Sequence, residues 1–136
     1  MIYAAGFGTR MAPLTDDKPK PLISVAGRAL LDHALDFAND LDCTVNAHYH
    51  ADQIKAHVAK RPNVAFIHET PDILETGGGL RNALPVLGHA PVFTMNSDAV
   101  WKGPNPFEVL QQHWRPEKMD ALLLVIPLDC AVEHTG

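Results

Sequence analysis

Short apolar runs and helix-spaced apolar positions alternate along the whole chain. Met1–Ala5 is an apolar run closed by Gly6, which predicts a strand. From Arg28 to Asn39, Leu31, Ala34, Leu35 and Ala38 recur at helical spacing. The pattern predicts a second strand over Cys43–Ala47, a helix over Ala51–Lys60 with Ile54 and Val58 inward, and a third strand over Val64–His68. Gly79–Leu87 reads as a short helix and Pro91–Asn96 as a fourth strand. Asn105–Trp114 reads as a helix with Pro106 in its first turn, where the missing N–H has no intrahelical partner to lose. Asp120–Pro127 holds a continuous apolar run rather than an alternating one, which predicts a strand buried on both faces. Strands alternating with helices predict an α/β layered domain with a mainly parallel sheet.

The bulk properties narrow this picture. A chain of 136 residues that is 46% hydrophobic has enough apolar material for one compact domain, taken here as residues 1–136. Its net charge of −5 comes from scattered acids, and no Lys/Arg stripe follows a phosphate backbone, so nucleic acid is not expected as a partner. Cys43 and Cys130 form no ligand spacing, which favours a reducing cytoplasm over a disulfide or zinc framework. No stretch approaches the roughly 18 apolar residues of a membrane span. The Pro- and Gly-rich stretches at Pro13–Gly27 and Gly103–Pro106 read as loops. The tail from Leu128 to Gly136 leaves the last strand without a closing element, so the domain is expected to be truncated at its C-terminus.

In a doubly wound sheet, ligands bind beyond the carboxyl ends of the strands, so the residues just after each strand carry the chemistry. After the first strand comes Gly6-Phe7-Gly8-Thr9-Arg10-Met11-Ala12-Pro13-Leu14-Thr15, then Lys18-Pro19-Lys20-Pro21-Leu22. Gly6 and Gly8 let backbone N–H groups approach an anion, and Arg10 and Lys20 add fixed positive charge. These are the parts of a polyphosphate cradle. A dinucleotide fingerprint fails because Met11 stands where the third glycine belongs, and a P-loop fails because no Gly-Lys-Ser/Thr follows.

The whole string instead resembles the signature of the sugar-nucleotidyltransferase family, a strand followed by Gly-x-Gly-Thr-Arg-Met/Leu-x-Pro-Leu-Thr and then Pro-Lys-Pro-Leu. The resemblance implies a three-layer, Rossmann-like nucleotide-diphospho-sugar transferase fold. It implies that Ala5, Gly6, Gly8 and Thr9 wrap a triphosphate, that Arg10 holds the departing pyrophosphate, and that Lys20 neutralises charge at the α-phosphate. Gly27 matches the family's turn before the first helix. Asn96-Ser97-Asp98 matches a motif ending in a magnesium-binding aspartate, which makes Asp98 the metal ligand and Mg²⁺ the cofactor. Glu75-Thr76-Gly77-Gly78-Gly79 matches a glycine-bearing loop that reads the nucleobase, with Gly77 and Gly78 as the candidate contacts. Glycines that merely permit a tight turn are the competing reading. Asn46 is placed at the site mouth. His48 and His50 lie on one side of an extended segment, but no third ligand suits them, so they are read as satisfied or surface histidines rather than a zinc site.

Within the family, the pattern is most similar to bacterial uridylyltransferases acting on N-acetylmuramate 1-phosphate in cell-wall recycling. Mannose-1-phosphate guanylyltransferases share the first loop, and a non-catalytic nucleotide-binding homologue is the rival from another class. The implied partners are a nucleoside triphosphate, UTP rather than GTP, and a sugar 1-phosphate. The implied place of action is the cytoplasm. The family's second metal-binding acid and its sugar contacts lie downstream, and only Asp129 and Glu133 stand past the final strand. The chain by itself is therefore expected to bind triphosphate and to form little nucleotide sugar.

Overall fold

The computed structural model describes residues 1–125 and 127. The chain divides into two compact units, Met1–Lys102 and Gly103–Gly136, at the second Pro/Gly-rich loop. The first unit holds a parallel four-stranded sheet of β1 (Ile2–Tyr3), β4 (Cys43–Ala47), β5 (Val64–His68) and β6 (Met95–Asn96). A separate antiparallel pair, β2 (Ser24–Val25) and β3 (Arg28–Ala29), precedes α1 (Leu30–Asp36); α2 (Ala51–Val58) and α3 (Glu75–Leu87) complete the unit. The second unit contributes α4 (Pro106–His113), whose first turn is capped by Asn105 Oδ1 accepting from Phe107 N at 2.9 Å.

The sheet order is β5-β4-β1-β6, with every pairing parallel. From β1 the chain steps outward to β4 and β5, then returns to the opposite side of β1 as β6. Right-handed crossovers place α1 and α2 on one face and α3 on the other, giving three layers. The strand order reverses between β1 and β6, and there a crevice opens beyond the strand ends.

Burial follows the periodicity. Leu30, Leu31, Ala34 and Leu35 of α1 and Ala51, Ile54 and Val58 of α2 are buried, as are Ile2, Val45 and Ala47 of the strands. Each fully buried aliphatic side chain contributes about 1.5–3 kcal/mol of hydrophobic stabilisation before entropy is counted. Among the described residues, no helix is long and apolar enough to cross a membrane.

Strands β1 and β6 are shorter than the apolar runs that predict them, Ile2–Tyr3 within Met1–Ala5 and Met95–Asn96 within Pro91–Asn96, and three further elements differ from expectation. The first helix begins at Leu30, not Arg28, because a two-residue hairpin turn precedes it: Ala26 has φ 51° and Gly27 φ 79°, the pair of left-handed residues that a type I′ turn requires. The third helix begins at Glu75, four residues early, so the glycines lie inside its first turn rather than before it. Residues 121–125 form no strand, with Leu123 81% and Val125 78% exposed. An apolar run becomes a strand only when a neighbouring backbone pairs with it, and among the described residues none does. Cys130, Asp129 and Glu133 lie outside the described residues.

Candidate active site

The crevice between β1 and β6 is a cavity of about 420 Å³. Its wall is formed by residues 3–11 with Lys20 and Pro21, by Ile73 with Glu75 and Thr76 at the start of α3, by Asn96-Ser97-Asp98, and by Asn46 at the end of β4, which is buried in the wall rather than set at the mouth. All lie at the carboxyl ends of the strands, as the topology requires.

The loop after β1 is shaped by Gly8. Its φ of +67° is left-handed, and a Cβ there would lie 2.9 Å from Lys20 Cβ and 3.0 Å from Thr15 Cγ2. Only glycine lets the Lys20 stem pack this closely. The Gly8 carbonyl accepts from Met11 N at 2.9 Å, opening a 3₁₀ turn over Thr9–Met11, and from Thr15 Oγ1 at 3.1 Å. Thr15 is buried and anchors the far end of the loop. Gly6 differs: a Cβ there meets nothing within 4 Å, so its bare face leaves room along the cavity wall. Ala5 is buried beneath the loop, and Arg10 extends from it, exposed and without an ion pair among the described residues.

The turn between β4 and α2 braces this loop from outside. Tyr49 Oη donates toward the carbonyls of Thr15 and Asp16 at 3.0 and 3.1 Å, and Gln53 Nε2 donates to Asp17 O at 2.9 Å. His50 meets Asp16 O at 3.2 Å, and His48 meets Glu69 O at 2.8 Å. Both histidines are thus engaged with backbone carbonyls. Phe7 packs its ring against His48 and Tyr49, with centroids 5.4 and 5.8 Å apart.

Lys20 and Asp98 meet across the crevice, Nζ to Oδ2 at 2.6 Å. Ser97 holds Asp98 in place, because its hydroxyl and its N–H both donate to the Tyr3 carbonyl, at 2.7 and 3.2 Å. Burial pushes the Tyr3 phenol above its ordinary value, and it pushes the Cys43 thiol up likewise, so neither is charged near neutrality.

The structure therefore brings Gly6, Gly8, Thr9, Arg10, Lys20 and Asp98 to one cavity, with Ala5 in its wall. Gly77 and Gly78 sit in the first turn of α3, and the lining there comes instead from Ile73, Glu75 and Thr76. Glu75 holds φ 57°, a left-handed conformation that costs a side-chain-bearing residue about 1–2 kcal/mol. Gly79 has a packing reason: a Cβ would lie 2.7 Å from Glu69 Oε1 and 2.9 Å from Asn46 Nδ2.

Glu69 escaped the sequence reading. It is 1% exposed, directly after β5, and accepts from Asn46 Nδ2 at 2.7 Å and Leu74 N at 2.9 Å. A charged residue immediately after a strand, at the ligand-binding edge, was the available signal.

Two carboxylate residues, Asp98 and Glu75, line the cavity together with Lys20 and Arg10, and Mg²⁺ takes one or two protein carboxylates and completes its shell with phosphate oxygens and water. Asp98 meets that requirement.

The family model of the MobA-like NTP transferase domain matches residues 1–128. The chain is 43% identical over 136 residues to the N-acetylmuramate alpha-1-phosphate uridylyltransferase of Caulobacter vibrioides, covering 92% of this chain and 56% of that protein. It is 35% identical over 114 residues to the mannose-1-phosphate guanylyltransferase catalytic subunit beta of Drosophila melanogaster, covering 76% and 31% respectively. HddC from Yersinia pseudotuberculosis, solved in complex with GMP-PN, superposes with a TM-score of 0.60 at 29% identity, over 71% of this chain and 46% of that one. Apo UDP-glucose pyrophosphorylase, with a TM-score of 0.66 at 13% identity over 82% and 54%, shares the fold. The chain spans about half the length of the Caulobacter protein and less of the Drosophila one.

Proposed function

The chain belongs to the MobA-like NTP transferase domain family, and from that premise we propose that it carries the nucleotide-binding half of a sugar-1-phosphate uridylyltransferase. The substrates in this reading are UTP and N-acetylmuramate 1-phosphate. The products are a nucleotide sugar and pyrophosphate. The observation that carries the reading is the convergence of Gly8, Lys20 and Asp98 at the crevice between β1 and β6.

The chemistry asks little of side-chain nucleophiles. An oxygen of the sugar phosphate attacks the α-phosphorus of the triphosphate; the new P–O bond forms as the bond to the β-phosphate bridging oxygen breaks. Pyrophosphate leaves with that electron pair. The protein positions the reactants and neutralises charge. Backbone N–H groups of the loop from Gly6 to Thr9 cradle the phosphates, Arg10 steadies the departing pyrophosphate, and Lys20 faces the α-phosphate. Mg²⁺ held by Asp98 would add charge neutralisation on the phosphate oxygens. Ile73 offers an apolar surface to a base, and Thr76 and Glu75 offer polar groups beside it. A triphosphate substrate fits a reaction in the cytoplasm.

The uridylyltransferase reading is favoured over a guanylyltransferase because the match to the Caulobacter protein is higher in identity and covers more of the chain. Titration calorimetry with UTP, GTP and CTP in the presence of Mg²⁺ tests it. Tightest binding of UTP is expected. Preference for GTP would transfer the chain to the guanylyltransferases, and binding of none would overturn the nucleotide reading altogether.

A further inference from the structure

We propose that Glu69 is a positioning residue whose buried carboxylate locks the base-side wall of the cavity, residues 73–76, to the phosphate loop, so that nucleoside affinity depends on it while phosphate affinity does not. The proposal rests on the nucleotide reading above.

The hydrogen bonds form one chain. Ala4 N–H, two residues before Gly6, donates to Asn46 Oδ1 at 3.0 Å. That contact dictates how the Asn46 amide is turned, and its Nδ2 then donates to Glu69 Oε1 at 2.7 Å. The other carboxylate oxygen, Oε2, accepts from Leu74 N at 2.9 Å. Both oxygens of Glu69 thus act as acceptors, and among the described residues no cation pairs with it. Asn46 is 2% exposed and Glu69 1%, so the bond between them lies in a buried, low-dielectric setting where an unpaired partner is costly.

The far end of this chain bears on the strained part of the site. Leu74 immediately precedes Glu75, the cavity-lining residue at φ 57°. A turn in that conformation persists only when its surroundings over-determine it. Glu69 supplies one constraint through Leu74 N. The first turn of α3 supplies another, lying so close on the Asn46–Glu69 pair that only glycine fits at position 79. The near end reaches Ala4, which leads from β1 directly into the glycine loop. One carboxylate therefore sets the separation between the surface that meets a base and the loop that meets its phosphates.

The test compares UTP with inorganic tripolyphosphate as calorimetric probes on the folded chain. Glu69→Gln keeps the shape but presents an amide NH₂ to one of two donors, Asn46 Nδ2 or Leu74 N–H, and breaks one end of the chain. We expect UTP affinity to fall about tenfold or more with tripolyphosphate affinity within about twofold, and amide exchange at Leu74–Thr76 to accelerate. The double substitution Asn46→Asp with Glu69→Gln transposes the charge and restores every bond. The carboxylate introduced at position 46 then accepts from Ala4 N–H and from the side-chain amide introduced at position 69, and the carbonyl of that amide accepts from Leu74 N–H. The ratio of UTP to tripolyphosphate affinity should return to the wild-type value. Equal losses for both probes in Glu69→Gln, or a ratio that stays low in the folded double variant, overturns the proposal. If Glu69→Gln does not fold, the double variant carries the comparison, and its failure to fold would also overturn it. Wild-type protein that binds neither probe would instead sink the nucleotide reading.

Discussion

Lys20 and Asp98, 78 positions apart in the chain, stand with Nζ 2.6 Å from Oδ2 across the mouth of the crevice. Each is the other's counterion here; in the function proposed above, Lys20 meets the phosphate charge of a bound nucleotide and Asp98 would hold its magnesium. The side chains are 26% and 39% exposed, so solvent screens the pair and it adds little to folding, on the order of 0–1 kcal/mol. Lys20→Ala should therefore leave the thermal midpoint nearly unchanged while lowering UTP affinity at least about tenfold, and turnover, where it is measured, by about 2–4 kcal/mol of transition-state stabilisation. A variant that melts early would show the pair to be structural instead.

Asp98→Asn retains the shape of the site and removes the charge. If Asp98 holds Mg²⁺, UTP binding followed by calorimetry should lose most of its magnesium dependence. Dependence equal to that of the wild type would place the metal elsewhere.

The two loop glycines should separate binding from stability. Gly6→Ala adds a methyl group where nothing lies within 4 Å, so the fold should tolerate it and nucleotide affinity should fall. Gly8→Ala forces a Cβ to 2.9 Å from Lys20 Cβ at φ +67°. The backbone conformation alone costs about 1–2 kcal/mol there, and a lowered melting temperature is expected. Reversal of these two phenotypes would refute the description of the loop.

Ala26 occupies a left-handed position at φ 51° in an exposed turn, a place where asparagine is far better tolerated. Ala26→Asn should stabilise the protein by about 0.5–1 kcal/mol, read as a rise of a few degrees in the melting temperature. No change in nucleotide affinity is expected, because the hairpin does not line the cavity.

Arg28 and Asp36 form an ion pair at 2.6 Å, and a hydrogen bond from Arg28 holds the Asp36 carboxyl below its ordinary value of 3.8. A depressed carboxylate stabilises the fold above its unfolded value and loses that contribution as pH falls through the folded one. Asp36→Asn should thus melt slightly earlier than the wild type at pH 7, and the two curves should converge below pH 3.8. The effect should be smaller than that of Gly8→Ala and should shrink with salt. A gap that persists in acid would mean the loss is one of packing.

Local pattern alone determined the alternation of strands and helices, the bounds of β4 and β5, and the glycine loop with its cations that is proposed to hold the phosphates. Those features depend on contiguous residues: periodicity of burial, and glycines next to charges on one strand-to-helix connection. The sequence also placed Asp98 at the end of a strand near that loop. Only the tertiary structure decided which strands pair, and so that β1 and β6 border the crevice while residues 121–125 gain no partner strand among the described residues. Strand pairing depends on backbone groups that every residue carries, which is why an apolar run reads the same whether or not a neighbour lies beside it. The same limit hid Glu69, a charged residue that is tolerated in the interior because Asn46 and Leu74, 23 and 5 positions away, bring two N–H donors to it. It also moved the cavity lining from Gly77 and Gly78 to Ile73, Glu75 and Thr76, since the start of α3 is set by a left-handed residue and a buried carboxylate rather than by the glycines themselves.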